Sequence, residues 1–138
     1  MRAHLVLCDF AEQDQASGKV HILGAGWSVV GPQAVPQAVV VLIKVAWTEA
    51  NRAHDVRVRL TDADGNLVAV PGTIGEQPME IPGKLEVGRP AGLPEGSEID
   101  ASFVVALQPL PLAGGQRYTW RLLIDGREEA FESFFVRA

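Results

Sequence analysis

The sequence predicts an all-β fold, an immunoglobulin-like β-sandwich of seven to eight mostly antiparallel strands in one domain covering residues 1–138. Three observations predict it. Apolar and polar residues alternate with a period of two in several short segments, as in half-buried strands. Turn residues separate these segments at intervals of roughly 8–12 residues, a spacing typical of sandwiches. No longer window carries the apolar period of a helix.

Each strand is predicted from its own apolar pattern. Residues Ala3–Phe10 and Lys19–Val30 are predicted as two strands joined by a polar loop that contains Gly18. The segment Val39–Trp47 is apolar on nearly both faces and rich in β-branched residues, which is typical of a central strand. The other predicted strands are His54–Thr61, Lys84–Val87, Ile99–Leu107, Tyr118–Ile124 and Ala130–Arg137.

The connections between these strands are predicted from their turn chemistry. Residues Thr48–Ala53 give one helical turn at most. The segment Pro71–Glu98 holds five prolines, which cannot donate to a ladder, so we expect edges and loops there. A turn followed by Tyr118 at the start of a late strand resembles a tyrosine corner, in which the hydroxyl bonds to upstream backbone.

The charge of the chain argues against a nucleic-acid partner. The 12 Lys and Arg residues are outnumbered by 17 Asp and Glu residues, which gives a net charge of −5. An acidic chain repels a phosphate backbone unless its basic residues cluster, and here they are scattered. We therefore expect no nucleic-acid binding.

The number of cysteines and the lengths of the apolar runs predict the cellular location. Cys8 is the only cysteine and cannot form an internal disulfide, so the framework of a small secreted domain is missing. The apolar run Leu5–Cys8 is shorter than a secretory signal requires, and Ala38–Ile43 is far shorter than a membrane span. The sequence predicts a cytoplasmic protein without a membrane partner.

The most specific motif stands in the opening, Cys8-Asp9-Phe10-Ala11, followed by Gly18-Lys19 and Ile22-Leu23-Gly24-Ala25-Gly26-Trp27. The later segments Val87–Pro90 and Tyr118–Gly126 fit the same pattern. In these residues the chain resembles a family of small uncharacterised bacterial proteins, actinobacterial in particular, known as a domain of unknown function. The resemblance covers most of the chain and implies a β-sandwich. It implies no activity, substrate or catalytic residue.

Two motifs begin like ligand-binding loops but lack required residues. Gly24-Ala25-Gly26 starts like a dinucleotide fingerprint, but Val29 stands where the third glycine is needed and no helix can follow. A glycine bulge or a close backbone approach is the structural interpretation. Asp62-Ala63-Asp64-Gly65 starts like a calcium loop, but Leu67 and Thr73 occupy the positions of its glycine and glutamate. A hairpin turn is favoured there, and no cofactor is expected.

His4, Cys8 and His21 are the only clustered soft ligands in the sequence. If the first two strands pair around Gly18, Cys8 and His21 lie near each other across the ladder. Their spacing matches no zinc motif, and Asp9 beside the thiol opposes a reactive thiolate. A buried thiol is the favoured interpretation, so neither a metal site nor a catalytic residue is predicted.

Four residues are the candidate binding residues. Trp47 and Trp120 are in phase with apolar neighbours and are predicted to lie in the core. Trp27 follows Gly24 and Gly26, which leave its strand thinly covered, and Arg89 lies in the proline-rich segment. These residues, Gly24, Gly26, Trp27 and Arg89, are the predicted contacts.

Together these patterns predict a binding or assembly module and no enzyme. The expected partner is another protein or a second copy, bound at Pro71–Glu98 or Gly24–Trp27, with strand addition at an uncovered edge as one route. The alternative is a carbohydrate or small-ligand binding domain that uses Trp27 with loop carboxylates. A small hydrolase or metal site built on Cys8 and His21 is the third hypothesis.

Overall fold

A computed structural model describes residues 1–138 as eleven strands and one 3₁₀ turn, Trp47–Glu49, with no α-helix. The strands are β1 (Arg2–Gln13), β2 (Val20–Ala25), β3 (Val29–Val30), β4 (Gln37–Val45), β5 (His54–Thr61), β6 (Ala69–Gly72), β7 (Gly75–Pro78), β8 (Glu80–Leu85), β9 (Ile99–Leu107), β10 (Gln116–Ile124) and β11 (Arg127–Val136). The all-β fold class predicted from the alternating pattern is therefore confirmed.

The strands form two packed sheets and a small ribbon. One sheet has four strands in the order β2-β1-β4-β9, and the other has five in the order β3-β11-β10-β5-β8. The ribbon consists of β6 and β7. All pairings within the sheets are antiparallel except that between β3 and β11, which is parallel. This arrangement agrees with the predicted β-sandwich.

The core lies between the inner faces of the two sheets. Alternation along β4 points its odd-numbered residues inward, from Val39 to Val45. There they meet Leu60, Trp120 and Phe134 of the facing sheet. Trp120 and Phe134 are fully buried, which confirms the predicted core position of Trp120. Because aromatic side chains bury the largest apolar areas, these two rings dominate the packing.

A second, smaller cluster lies on the outside of the four-stranded sheet. Residues Arg2–Cys8 of β1 pair with β4, whereas the end of β1 pairs only with β2. The side-chain amide of Gln13 donates to the carbonyl oxygen of Ser102 in β9 at 2.8 Å. The β1–β2 hairpin therefore crosses the outer face of β4. This crossing explains why Val40, which points away from the core, is fully buried.

The chain has more strands than the seven or eight predicted, and the difference lies in its glycine- and proline-rich segments. Positive φ angles at Gly24 and Gly26 divide the predicted strand Lys19–Val30 into β2 and β3. The segment Pro71–Glu98 holds β7, β8 and part of β6, where one short strand was predicted. Pro82 is tolerated in β8 because β8 is an edge strand.

In the connections, the contact predicted for Tyr118 is observed, and the position predicted for Trp47 is not. The Tyr118 hydroxyl bonds to the backbone of Ala113, accepting from its amide at 3.0 Å and donating to its carbonyl at 3.3 Å, as predicted. Trp47 differs from its prediction, because it lies in the 3₁₀ turn after β4 and is only half-buried at the border of the core.

Candidate functional site

The candidate site lies on the side of the sandwich where β8 and β9 face each other. β9 ends the four-stranded sheet and β8 ends the five-stranded sheet, so each pairs with a neighbour on one side only. Between them is an open groove of about 500 Å³, lined by Ile81–Leu85 of β8, Ser102–Ala106 of β9, and Val56 and Val58 of β5. Its lining is mainly apolar, and Lys84 is the only charged residue in it.

The groove exposes side chains that have the phase of core residues. Phe103 and Val105 point to the interior with Ile99, yet Ile99 is buried while Phe103 and Val105 are only half-buried. The floor below them consists of Val56 and Val58, which are buried. No strand covers the groove between β8 and β9, so apolar surface that a closed sandwich would bury stays in contact with water.

The edge strands of the two sheets differ in how they are protected from pairing with other chains. β2 carries Gly24 at a φ of +69°, β3 is two residues long, and β8 contains Pro82, which has no N–H group. β9 has nine residues without proline, glycine or lysine, and its only charged residue, Asp100, is paired with Lys44. Proline, irregular backbone and short length are the usual protections of an edge strand. β9 lacks them.

One contact covers part of the β9 edge. The Gln13 amide nitrogen donates to the Ser102 carbonyl oxygen at 2.8 Å and to the Gly18 carbonyl oxygen at 3.1 Å. Beyond Ser102, no side chain bonds to the main chain of residues 103–107. The main-chain groups of β9 after Ser102 that face away from β4 therefore have no side-chain partner, and they run beside the apolar groove.

Trp27, the central candidate of the sequence analysis, lies outside this groove. Its ring is half-buried and packs edge-to-face on Phe134, with a centroid distance of 6.0 Å. The indole nitrogen is buried without a hydrogen-bond partner. A cleft of about 270 Å³ beside Trp27 also includes Gly26 and Glu132. Because the edge of the ring is engaged in the core, Trp27 contributes to packing, and its predicted binding role stays a prediction.

Gly24 and Gly26 both have positive φ angles, of 69° and 93°, which side chains of L-residues rarely adopt. A Cβ atom on Gly24 would overlap the Asp9 carboxylate, whereas one on Gly26 would meet open space. The pairing of β1 with β2 continues without a shift from Cys8–Ala25 to Phe10–Leu23. Of the two structural interpretations, the close approach is therefore the one observed at Gly24.

Arg89 is exposed, but its guanidinium group is engaged. Its Nε and Nη2 atoms donate to the Trp47 carbonyl oxygen at 3.2 and 2.7 Å. The guanidinium carbon lies 4.6 Å from the centroid of the Trp47 ring, within the range of a cation–π contact. These contacts fasten the segment before β9 to the 3₁₀ turn, so Arg89 has a structural role beside the predicted one.

Cys8 and His21 are not neighbours in the structure. Cys8 pairs with Ala25, whereas His21 pairs with Glu12 further along β1. The Cys8 thiol is completely buried and donates to the Ala38 carbonyl oxygen at 3.6 Å. Burial, followed by the nearby Asp9 charge, raises the pKa of the thiol and so opposes a thiolate nucleophile. No group of three or more His, Cys, Asp or Glu side chains is placed to hold a metal ion.

A buried histidine that the sequence analysis did not single out links three connections of the fold. His54 Nδ1 lies 2.7 Å from Asp125 Oδ2, and His54 Nε2 lies 2.9 Å from the Glu49 carbonyl oxygen. Both partners only accept hydrogen bonds, so both ring nitrogens donate when His54 is an imidazolium ion. The Asp125 bond, then the Glu49 carbonyl, raises the pKa of His54. The phase of His54 with Val56 and Val58 was the available sequence signal.

Asp125 and Glu49 are each held in the charged form by this network. The hydrogen bond to His54 lowers the pKa of Asp125, which also accepts from the Asp55 amide at 3.0 Å. The amino group of Met1 donates to Glu49 Oε1 at 2.9 Å and lowers the pKa of Glu49. Every member has a structural partner, which is consistent with a cluster that holds the chain end and the turns together.

Comparison with known proteins identifies one family. The profile of a family of unknown function, DUF6941, matches residues 3–137, nearly the whole chain. The chain belongs to this family. The resemblance drawn from the opening motif to an uncharacterised domain family is thereby confirmed. No match is found among curated proteins or among solved structures, so DUF6941 membership itself assigns no activity. None of the structure's helical segments has the length and apolarity to cross a membrane.

Proposed function

We propose that this domain is a non-catalytic binding module that takes an extended segment of a partner protein as an additional strand beside β9. The single observation that carries the proposal is the unprotected edge of β9 next to an apolar groove of about 500 Å³. In strand addition, main-chain hydrogen bonds supply affinity, and pockets for alternate side chains supply specificity. The edge and the groove offer these two elements side by side.

The shape of the groove favours a peptide segment over a second copy of the chain. An added strand points every second side chain toward Phe103 and Val105, whose exposed surfaces it covers. If β9 of a second copy paired here, its inward side chains would already be packed in its own core. Such a pair would continue the sheet but leave both grooves empty. The expected partner segment is therefore extended and alternates apolar with polar residues.

The finer classification belongs to the same proposal. An immunoglobulin-like sandwich is supported by the Tyr118 hydroxyl, which bonds to the backbone of Ala113 in the manner of a tyrosine corner. A bacterial source and a cytoplasmic location are the accompanying proposals, and they are supported by the opening motif and by the single cysteine, Cys8.

The test uses the full chain and a displayed library of nine-residue peptides. Selected peptides are titrated into isotope-labelled protein, and the backbone amide shifts are followed by NMR. We expect alternating apolar sequences that shift the backbone amides of residues 103–107, of Ile81 and of Gly83–Leu85. The variant Ala106→Lys places lysine, a residue that protects natural edge strands from pairing, at an exposed position of β9 and should weaken binding by about tenfold, equivalent to about 1.4 kcal/mol.

The matched control is Leu23→Lys on the opposite edge strand, where the side chain is 66% exposed. This variant should bind the selected peptides within about twofold of the unmodified protein. The proposal fails if the library yields no binder, if the shifts map to another surface, or if Ala106→Lys binds as tightly as the control.

A further inference from the structure

Glu132 is a charged residue on the face of β11 that builds the core. Phe134 and Val136 share this face of the strand and are buried, and Glu132 stands in register with Trp120, which is fully buried. Glu132 itself is exposed and forms no ion pair. Strand alternation therefore directs a carboxylate without a cationic partner toward the facing sheet.

The space in front of Glu132 is a surface cleft of about 270 Å³ between β1 and β11, with Trp27 in its wall. Leu5 and Leu7 belong to the inward face of β1 and line the same cleft, so their side chains and that of Glu132 converge from the two sheets. Trp27 is half-buried, and Phe134 below it is fully buried, so the cleft lies at the surface of a closed core. The cleft combines apolar walls, an aromatic ring and one carboxylate.

The charges around this cleft favour a cation. A second cleft, of about 310 Å³, shares Glu132 with the first and is also lined by Glu128, Glu129 and His4. Arg121 donates to Glu128 at 2.9 Å, but Glu129, like Glu132, forms no ion pair. No lysine or arginine lines either cleft. The local field therefore attracts a positive group and repels an anion.

We propose that the cleft at Trp27 and Glu132 binds an ammonium group on an aliphatic stem. The ammonium donates a charge-assisted hydrogen bond to the Glu132 carboxylate, which is stronger than a bond between neutral groups. A cation is also attracted to the face of a tryptophan ring. The stem lies along Leu5 and Leu7, since the methylene chain of a lysine covers apolar surface while its charged end stays in water.

Two sources supply this chemistry, a lysine side chain of a partner protein and a free alkylamine. Neither cleft shares a lining residue with the groove beside β9, so this inference stands or fails independently of the proposed function. The competing explanation of Glu132 is protection of an edge strand, because an inward-pointing charge prevents pairing with other chains and needs no ligand.

The test titrates two probes, Nα-acetyl-lysine amide and butylamine, into the full chain. The indole N–H resonance of Trp27 and the backbone amides of Ser28 and Glu132 are followed by NMR. Saturable shifts with either probe support the inference: the first probe alone indicates a lysine side chain, and the second alone a free amine. The neutral probe 1-butanol has the same chain and should bind at least about fivefold more weakly, since it carries no charge.

The matched variants are Glu132→Gln and Glu76→Gln, which remove the same charge. Glu76 is exposed in β7 and lines neither cleft, so its replacement should leave probe binding within about twofold. Glu132→Gln keeps the shape of the side chain and should weaken binding by about fivefold or more.

Three results would overturn the inference. The first is the absence of saturable shifts with both probes, the second is equal affinity of the two variants, and the third is equal binding of butylamine and 1-butanol. If Glu132 only protects the edge of β11, Glu132→Gln should self-associate in sedimentation, and neither probe should bind the unmodified chain.

Discussion

The two sides of the sandwich differ although the same alternating pattern builds both. On one side β1 and β11 approach each other, and Trp27 packs on Phe134, which is fully buried. On the other side β8 and β9 stay apart, and Phe103 is only half-buried despite its inward direction. A strand's pattern decides which side chains face the interior, but the spacing of the edge strands decides whether that interior is closed.

The two sides are also expected to differ in what they contribute to stability and to binding. The closed side contains the large aromatic contacts, including Tyr118 stacked on Phe134 with centroids 5.9 Å apart. The open side contains apolar surface that the domain leaves accessible, next to main-chain groups of β9 that no side chain of the fold covers beyond Ser102. Substitutions on the closed side are expected to change mainly the free energy of unfolding. Substitutions on the open side are expected to change mainly partner binding.

The largest expected effect compares two phenylalanines on opposite sides. Phe134→Ala leaves a cavity among Trp27 and Tyr118 and should lower the free energy of unfolding by about 3–5 kcal/mol. Phe103→Ala removes a side chain that already contacts water and should cost about 1–2 kcal/mol. Urea denaturation of both variants measures the difference. Equal losses would contradict the distinction between a closed and an open side.

A smaller effect is expected from pH at the His54 network. The pKa of His54 is higher in the folded chain than the unfolded value near 6.5, because Asp125 and the Glu49 carbonyl hold the proton. The resulting stabilisation is fully present below about pH 6.5 and is lost as the pH rises through the folded pKa. The loss of this stabilisation should be smaller than the loss caused by Phe134→Ala, since burial, and then the charge of Arg52, oppose the imidazolium form.

Unfolding in urea at a series of pH values tests this expectation. In the unmodified chain the free energy of unfolding should decline as the pH rises above about 6.5. The variant His54→Asn should flatten this decline. The variant Asp125→Asn should make this decline smaller, because the hydrogen bond to the Asp125 carboxylate is the largest cause of the raised pKa of His54. A peptide bound beside β9 should keep its affinity over the same range while the domain stays folded. A stability that rises with pH above about pH 6.5 would exclude the network as described.

The smallest expected effect concerns the one contact that covers the β9 edge. Gln13→Ala removes the hydrogen bond to the Ser102 carbonyl and should lower the free energy of unfolding by about 1 kcal/mol. It should also extend the free edge to Ser102 and strengthen the binding of selected peptides about twofold to threefold, a gain of about half a kcal/mol. Isothermal titration measures the affinity. Weaker peptide binding would mean that Gln13 belongs to the binding surface.

Much of the secondary structure follows from local pattern. The predicted bounds His54–Thr61 and Ile99–Leu107 agree with β5 and β9 residue for residue, because strict alternation between turns leaves little freedom. The segment Lys19–Val30 was predicted as one strand because its residues favour strands. The positive φ angles that divide it occur at Gly24, which Asp9 of the neighbouring strand approaches, and at Gly26, whose surroundings are open.

The candidate sites were less predictable because they join distant residues. The groove joins β8 to β9 across a connection that carries no motif, and His54 meets Asp125 across 71 positions of the chain. Trp27 was expected to be accessible from its glycine neighbours alone, and its contact with Phe134 arises only when the sheets pack.

The sequence alone determined the all-β class, the strand faces, the membership in a family with its opening motif, and the position of Trp120 in the core. These properties depend on neighbouring residues, whose side-chain directions a strand fixes at a period of two. Only the tertiary structure decided which edge stays free, which apolar faces remain in water, and which buried polar atoms find partners. Those outcomes depend on distances between strands far apart in the chain, and no local pattern encodes them.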